Sequence, residues 1–140
     1  MSLAVKKADV WAGAVLDRPG SLSKKLAALA AGGANLQFVM ARRAPDKPGM
    51  GVVFVAGIQG ARQAKAAKEA GLIRTKTLAS LRIEGRDRKG LGAKMTAALA
   101  EAGVNLRGFS AAAIGKKFVA HVAVDTTAAA AKAMKIIAVL

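Results

Sequence analysis

Asp17-Arg18-Pro19-Gly20-Ser21-Leu22 lies between an alternating apolar run, Val10 to Leu16, and a helix-like run, Leu22 to Ala31. Alternation turns one face of the first run inward, as in a strand, while Leu22, Leu26 and Leu29 recur at helical spacing in the second. Pro19 has its φ pre-set for a first helical turn and lacks the N–H that would be orphaned there. Gly20 has no Cβ, so a ligand can approach the backbone closely. Asp17 can accept hydrogen bonds from first-turn amides. The corner thus presents free N–H groups and the positive end of a helix dipole, which favour an anionic group such as a carboxylate. A capped helix start with no ligand has the same pattern.

The corner occurs twice. At an offset of 70 residues, Asp17, Arg18, Gly20, Lys24, Leu29, Gly33, Asn35 and Leu36 meet Asp87, Arg88, Gly90, Lys94, Leu99, Gly103, Asn105 and Leu106. Asp-Arg-x-Gly at one end and Gly-x-Asn-Leu at the other hold one ungapped register. Composition alone does not produce that match between two Ala-rich helices, so the chain reads as an internal duplication.

The chain has 140 residues, enough for one domain or two very small ones. Small units have marginal cores, so the two halves are expected to bury a shared face. The apolar fraction is 54% but aromatics are only 4%, so the core is expected to be Val, Leu, Ile, Met and Ala, with helices close to a sheet. Without cysteine there is no disulfide framework, thiolate zinc site or thiol nucleophile. No apolar run reaches membrane-spanning length. Lys6-Lys7 before an apolar run faintly resembles a secretion signal, but Asp9 interrupts it and a strand explains it better. The expectation is a soluble, cytoplasmic protein. The formal charge of +15 favours nonspecific polyanion binding and steers acidic ligands inward, though a solvated surface has the same composition.

Read in order, residues 1–7 are expected to fray, Asp9 to Leu16 to form a strand, and Leu22 to Ala31 a helix closed by Gly32-Gly33. Strands follow at Asn35 to Arg43 and Gly51 to Ile58, then a helix from Gln59 to Ala70 and a short closing strand within Leu72 to Leu78. The second copy repeats this. Strands are expected at Leu81 to Gly85, Asn105 to Ile114, Phe118 to Val124 and Lys135 to Leu140, with helices at Leu91 to Ala102 and Thr126 to Met134. The fold class is α+β: two ferredoxin-like βαββαβ sandwiches in tandem, residues 1–77 and 78–140. They are expected to pair edge to edge into one continuous antiparallel sheet with helices on one face.

Asp-Arg-Pro-Gly-Ser-Leu after a first strand, with Ala-Gly-Gly-Ala-Asn-Leu leading into the second, resembles an ACT domain. Gly85 to Leu91 and Ala102-Gly103-Val104-Asn105-Leu106 resemble the same family, so the likeness covers nearly the whole chain as a tandem pair. It implies a free-standing regulatory module, allosteric and not an enzyme, that binds an amino acid where two units meet and signals through association. A homodimer is expected, with a metabolic enzyme or regulator as a further partner, and no cofactor or metal. The implied ligand residues are Asp17, Arg18, Pro19, Gly20, Ser21, Leu22, Asn35 and Leu36. In the second copy they are Asp87, Arg88, Lys89, Gly90, Leu91, Asn105 and Leu106. A carboxylate would meet the N–H groups around Gly20 and Ser21, or Gly90 and Leu91. The ammonium would use Asp17, Asp87, Asn35 or Asn105. Asn35 and Asn105 are equally readable as turn residues, Asp17 and Asp87 as caps, and Arg18 and Arg88 as carboxylate clamps or solvated side chains. Lys89 replaces the proline and Gly92 replaces Leu22, so the second site is weaker, differently selective or lost.

Two other functional classes fit parts of the sequence. The same strand order builds an RNA-recognition fold, which the charge suits, but Phe54 and Phe118 are single aromatics where several are needed, and each reads better as a core residue. As an enzyme the chain offers one histidine, His121, with no carboxylate cluster at metal-ligand spacing and no paired nucleophile and base. Acylphosphatases share the topology, but their glycine-rich phosphate loop is not visible.

Overall fold

A computed structural model describes residues 3–76 and 79–140. In chain order the elements are β1 (Ala4–Ala8), β2 (Val10–Leu16), α1 (Ser21–Ala31), β3 (Phe38–Arg43), β4 (Met50–Ala56), α2 (Gly60–Glu69), β5 (Ile73–Arg74), β6 (Ala79–Arg86), α3 (Leu91–Glu101), β7 (Leu106–Ile114), β8 (Lys117–Val124) and α4 (Thr127–Ala138). They form two compact units. One is Asp9–Thr75, and the other joins the N-terminal segment through Ala8 to Lys76–Leu140.

The Asp9–Thr75 unit has a four-stranded antiparallel sheet in the order β3-β4-β2-β5. Trp11 on β2 and Val53 and Val55 on β4 point to one side of the pleat. There they pack with Leu29 of α1, Ala67 of α2 and Leu72. The other unit repeats the plan with the order β1-β6-β8-β7. Leu81 and Ile83 of β6 and Phe118, Ala120, Val122 and Val124 of β8 face Leu91, Met95 and Leu99 of α3. Ala130, Ala133 and Ile137 of α4 complete that core. Both cores are built of Leu, Val, Ile, Met and Ala with single aromatics, and each sheet is the expected ferredoxin-like arrangement. Phe118 is buried, as the core reading required, whereas Phe54 is half-buried on the sheet face away from the helices.

Four expectations are corrected. Residues expected to fray at the N-terminus include β1, which pairs with β6 from Ala4↔Glu84 to Ala8↔Ser80 and fills the place reserved for a closing strand. Lys135 to Leu140 is therefore not that strand. α4 runs on to Ala138 because Ala130, Ala133 and Ile137 fall three and four residues apart and bury one stripe. Its start is capped by Thr126, whose Oγ1 accepts from Ala129 N at 3.0 Å. The closing strand of the first unit shrinks to Ile73–Arg74, and the Thr77-Leu78 end of that expectation lies outside the described residues. The ladders make two four-stranded sheets rather than one continuous sheet among the described residues.

The Asp9–Thr75 unit is thus inserted between β1 and the rest of the other unit. Its two ends are tied to each other: Thr75 N and Oγ1 donate to Val10 C=O at 2.9 and 2.8 Å, and Arg74 pairs with Asp9.

Candidate functional site

Gly20 and Gly90 occupy the same left-handed conformation, with φ of 87° and 78°, immediately before α1 and α3. Only glycine takes this conformation without strain, which explains its recurrence at an offset of 70. The first amide after each glycine is turned back: Ser21 N–H donates to Arg18 C=O at 3.3 Å and Leu91 N–H to Arg88 C=O at 3.2 Å. Helical bonding begins at Lys24 and Lys94, whose N–H groups reach Gly20 C=O and Gly90 C=O. The amides between, of Leu22 and Ser23 and of Gly92 and Ala93, meet no acceptor among the described residues. The Gly20 and Gly90 amides likewise meet no acceptor among the described residues, so of the amides expected from sequence those of Ser21 and Leu91 are the ones turned inward.

Asp17 does not cap α1. Its Oδ2 accepts from Arg43 Nε at 2.9 Å, tying the corner to the end of β3.

The first corner opens on a cleft of about 660 Å³. Arg18, Pro19, Gly20 and Ser21 form one end and Lys24 and Ala28 of α1 one side. Ala14 to Leu16 of β2, Met50, and Glu69 and Ala70 at the end of α2 complete the lining. Among the described residues no strand pairs with Ala14 to Leu16 of β2 on that side, because β5 meets only Trp11 and Ala12. Val10 C=O bonds outward to Thr75, so with a period of two the backbone groups of Ala14 face outward as well. Lys25 Nζ donates to Ala70 C=O at 2.6 Å and closes α2. Glu69 has only a loose exposed pairing with Lys65 at 4.0 Å. One end of the cleft is thus cationic, while Glu69 and a strand-edge carbonyl supply acceptors. A neighbouring cleft of about 440 Å³, lined by Asp17, Arg18, Leu22, Arg42 and Arg43 among others, shares the corner.

The second corner is built differently. β1 pairs along β6 as far as Glu84, two residues beyond the point matching the end of β5 pairing. Leu3 is buried against Gly85, at the position of Val15 in the first copy. Leu91 is a core side chain, Met95 replaces Lys25, and Arg88 Nη2 reaches Leu140 C=O at 3.4 Å. Asp87 and Lys89 are exposed.

Asn35 and Asn105 are exposed beyond the far ends of α1 and α3, each helix being 11 residues long. That places them roughly 16 Å along the axis from Gly20 and Gly90. Leu36 and Leu106 are half-buried beside them and pack on the two cores. Within one unit the structure groups Asp17, Arg18, Pro19, Gly20, Ser21 and Leu22 at one end, and Asn35 and Leu36 at the other. Sequence reasoning missed Glu69, Ala14 and Met50, which reach the corner from other elements with no local signal. Lys24, repeated as Lys94, was visible in the duplication.

Among the described residues no group of three or more His, Asp or Glu stands ready to hold a metal. No helix among them is long and apolar enough to cross a membrane.

The two sheets with their helices share the fold of regulatory subunits of aspartate kinase, the ACT-like arrangement expected from sequence. The ligand-free regulatory subunit of aspartate kinase from Thermus thermophilus superposes with a TM-score of 0.66 at 20% identity, covering 98% of this chain and 95% of that one. Its counterpart from Thermus flavus gives 0.65 at 21% identity, over 97% and 95%. A protein of Bacteroides thetaiotaomicron gives 0.76 at 16% identity, over 94% and 87%. No protein-family model and no curated protein matches the chain.

Proposed function

We propose that this protein is a non-catalytic, cytoplasmic regulator that binds an amino acid at the Gly20 corner and signals through association with a second ACT-like unit or a partner enzyme. The observation that carries this reading is the cleft at the first corner, where Arg18, Gly20 and Lys24 share one space with the β2 edge and Glu69. The α-carboxylate would take the Gly20 amide beside Arg18 and Lys24, and the ammonium would take Glu69 and the outer edge of β2. Aspartate kinase regulatory subunits of the same fold support a regulatory role rather than a catalytic one. Occupancy would act by favouring one arrangement of associated units over another. The second corner, with Leu3 on Gly85 and β1 along its strand edge, is read as structural.

The test is a thermal-shift screen with the twenty amino acids on the wild type, Gly20→Val and Gly90→Val. A ligand that binds only the native state raises the melting temperature. The expected pattern is a rise for one or a few amino acids, lost in Gly20→Val and kept in Gly90→Val. No shift with any amino acid would end the sensing reading while leaving the fold in place.

A further inference from the structure

The second corner is closed as a small-ligand site, yet its differences from the first all run in one direction. The two corners match place by place. Leu16 pairs with Met50 in the first copy, and Arg86 pairs with Lys117 at the same point of the second. Asp17 N–H donates to Gly49 C=O at 3.0 Å, and Asp87 N–H to Lys116 C=O at 2.8 Å. Lys89 stands where the first copy has Pro19. Uncharged residues at four matched places are thus cations in the second copy, and Arg88 repeats Arg18.

The backbone gathers these five cations. Arg86 and Lys117 lie directly opposite each other on β6 and β8, so their side chains leave one face of the sheet about 5 Å apart, an unfavourable place for like charges. The Asp87–Lys116 bond holds the Arg88-Lys89 loop beside the β7–β8 turn. All five are exposed, and among the described residues none forms an ion pair. Arg88 also reaches Leu140 C=O at 3.4 Å. Of the carboxylates in the same strand and loop, Asp87 is one and Glu84 the other, and Glu84 is taken by Arg82 Nε at 2.7 Å.

We propose that this end of the second copy docks the phosphate backbone of duplex DNA. The guanidinium forks of Arg86 and Arg88 suit phosphate oxygens, and the lysines add point charges. A duplex presents denser charge than a single strand, and single-strand binding uses exposed aromatic platforms, whereas Phe118 is buried in the core. A lipid surface would need apolar side chains among the cations, and residues 86–89 and 116–117 contain none. They also contain no uncharged polar side chain to read the 2′-hydroxyls of RNA. The contact therefore follows charge and not base sequence.

The test is fluorescence anisotropy of a labelled mixed-sequence DNA duplex titrated with the full chain over a range of salt. No free amino acid is present, so its outcome is separate from that of the sensing reading. Binding is expected, with log K falling against log salt at a slope of about −4.5 when all five cations engage phosphates. Arg86→Gln with Lys117→Gln is expected to weaken binding and make that slope shallower by about 1.8. Its melting temperature is expected not to fall, because a like-charge pair is removed. Lys132→Gln with Lys135→Gln removes the same charge from exposed positions of α4 and is expected to keep the wild-type slope. No binding to the duplex, equal losses in the two variants, or tighter binding to a DNA single strand, duplex RNA or polyglutamate would overturn the proposal.

Discussion

Leu3 lies on Gly85 so closely that a methyl group at Gly85 would overlap Leu3 Cδ2. A side chain from the start of the chain thus completes a core whose other members begin at Leu81. Leu3→Ala is expected to destabilise the protein by about 2 kcal/mol, through lost burial and the cavity left over Gly85. Urea denaturation followed by circular dichroism measures this. A loss within about 0.5 kcal/mol would show that Leu3 is not held against Gly85 in solution.

Nothing lies within 4 Å of a Cβ placed on either Gly20 or Gly90, so alanine at these sites meets no clash and pays only the left-handed backbone conformation. Gly20→Ala and Gly90→Ala are each expected to cost about 1 kcal/mol. The two melting temperatures should fall together. A much larger loss at one corner would show that its glycine is needed for more than backbone conformation.

His121 is half-buried on β8 beside Arg82, with Nε2 3.3 Å from Arg82 Nη1. Burial first, and the Arg82 charge second, lower its pKa to about 4, while Glu84 opposes the shift. The unfolded chain takes up this proton near pH 6.5 and the folded chain only near 4, so stability falls as pH drops between those values. His121→Gln is expected to flatten the stability curve in that window by on the order of 2 kcal/mol. Glu84, whose carboxyl is held below its usual range first by its hydrogen bond to Arg82, contributes its own loss only at lower pH. Denaturation midpoints at pH 7, 5.5 and 4.5 separate the two. An unchanged slope in His121→Gln would refute the assignment.

The Asp17–Arg43 pair is solvent-exposed, with the arginine side chain at 85% relative accessibility. Asp17→Asn is therefore expected to change stability by less than about 1 kcal/mol, and less again in high salt. The same variant tests whether the pair orients the corner. A weakened amino-acid response at unchanged melting temperature is the expected signature.

The repeat, both glycine corners, four helices and most strands were legible because each rests on local chemistry: turn residues, helical spacing and alternation. The N-terminal strand was not legible. Ala4-Val5-Lys6-Lys7-Ala8 is short and charged, and its partner β6 lies about 75 residues away with a whole unit between. Ile136-Ile137 misled in the opposite direction. Adjacent β-branched residues favour a strand, but Ile137 extends the stripe of Ala130 and Ala133, and the edge position was already taken by β1. At the site, Gly20 and its neighbours were visible. Glu69 and the bare edge of β2 were not, because they depend on where β5 stops.

The insertion of Asp9–Thr75 between β1 and β6 also orders events on the ribosome. The inner unit is complete when Thr75 has emerged, and it can close before the outer sheet has any of its remaining strands. β1 must wait as an unpaired segment until β6 is made, and Lys6 and Lys7 keep that waiting segment from pairing elsewhere. The β1–β6 ladder is thus a contact of large chain separation that closes only after the whole inner unit has been made.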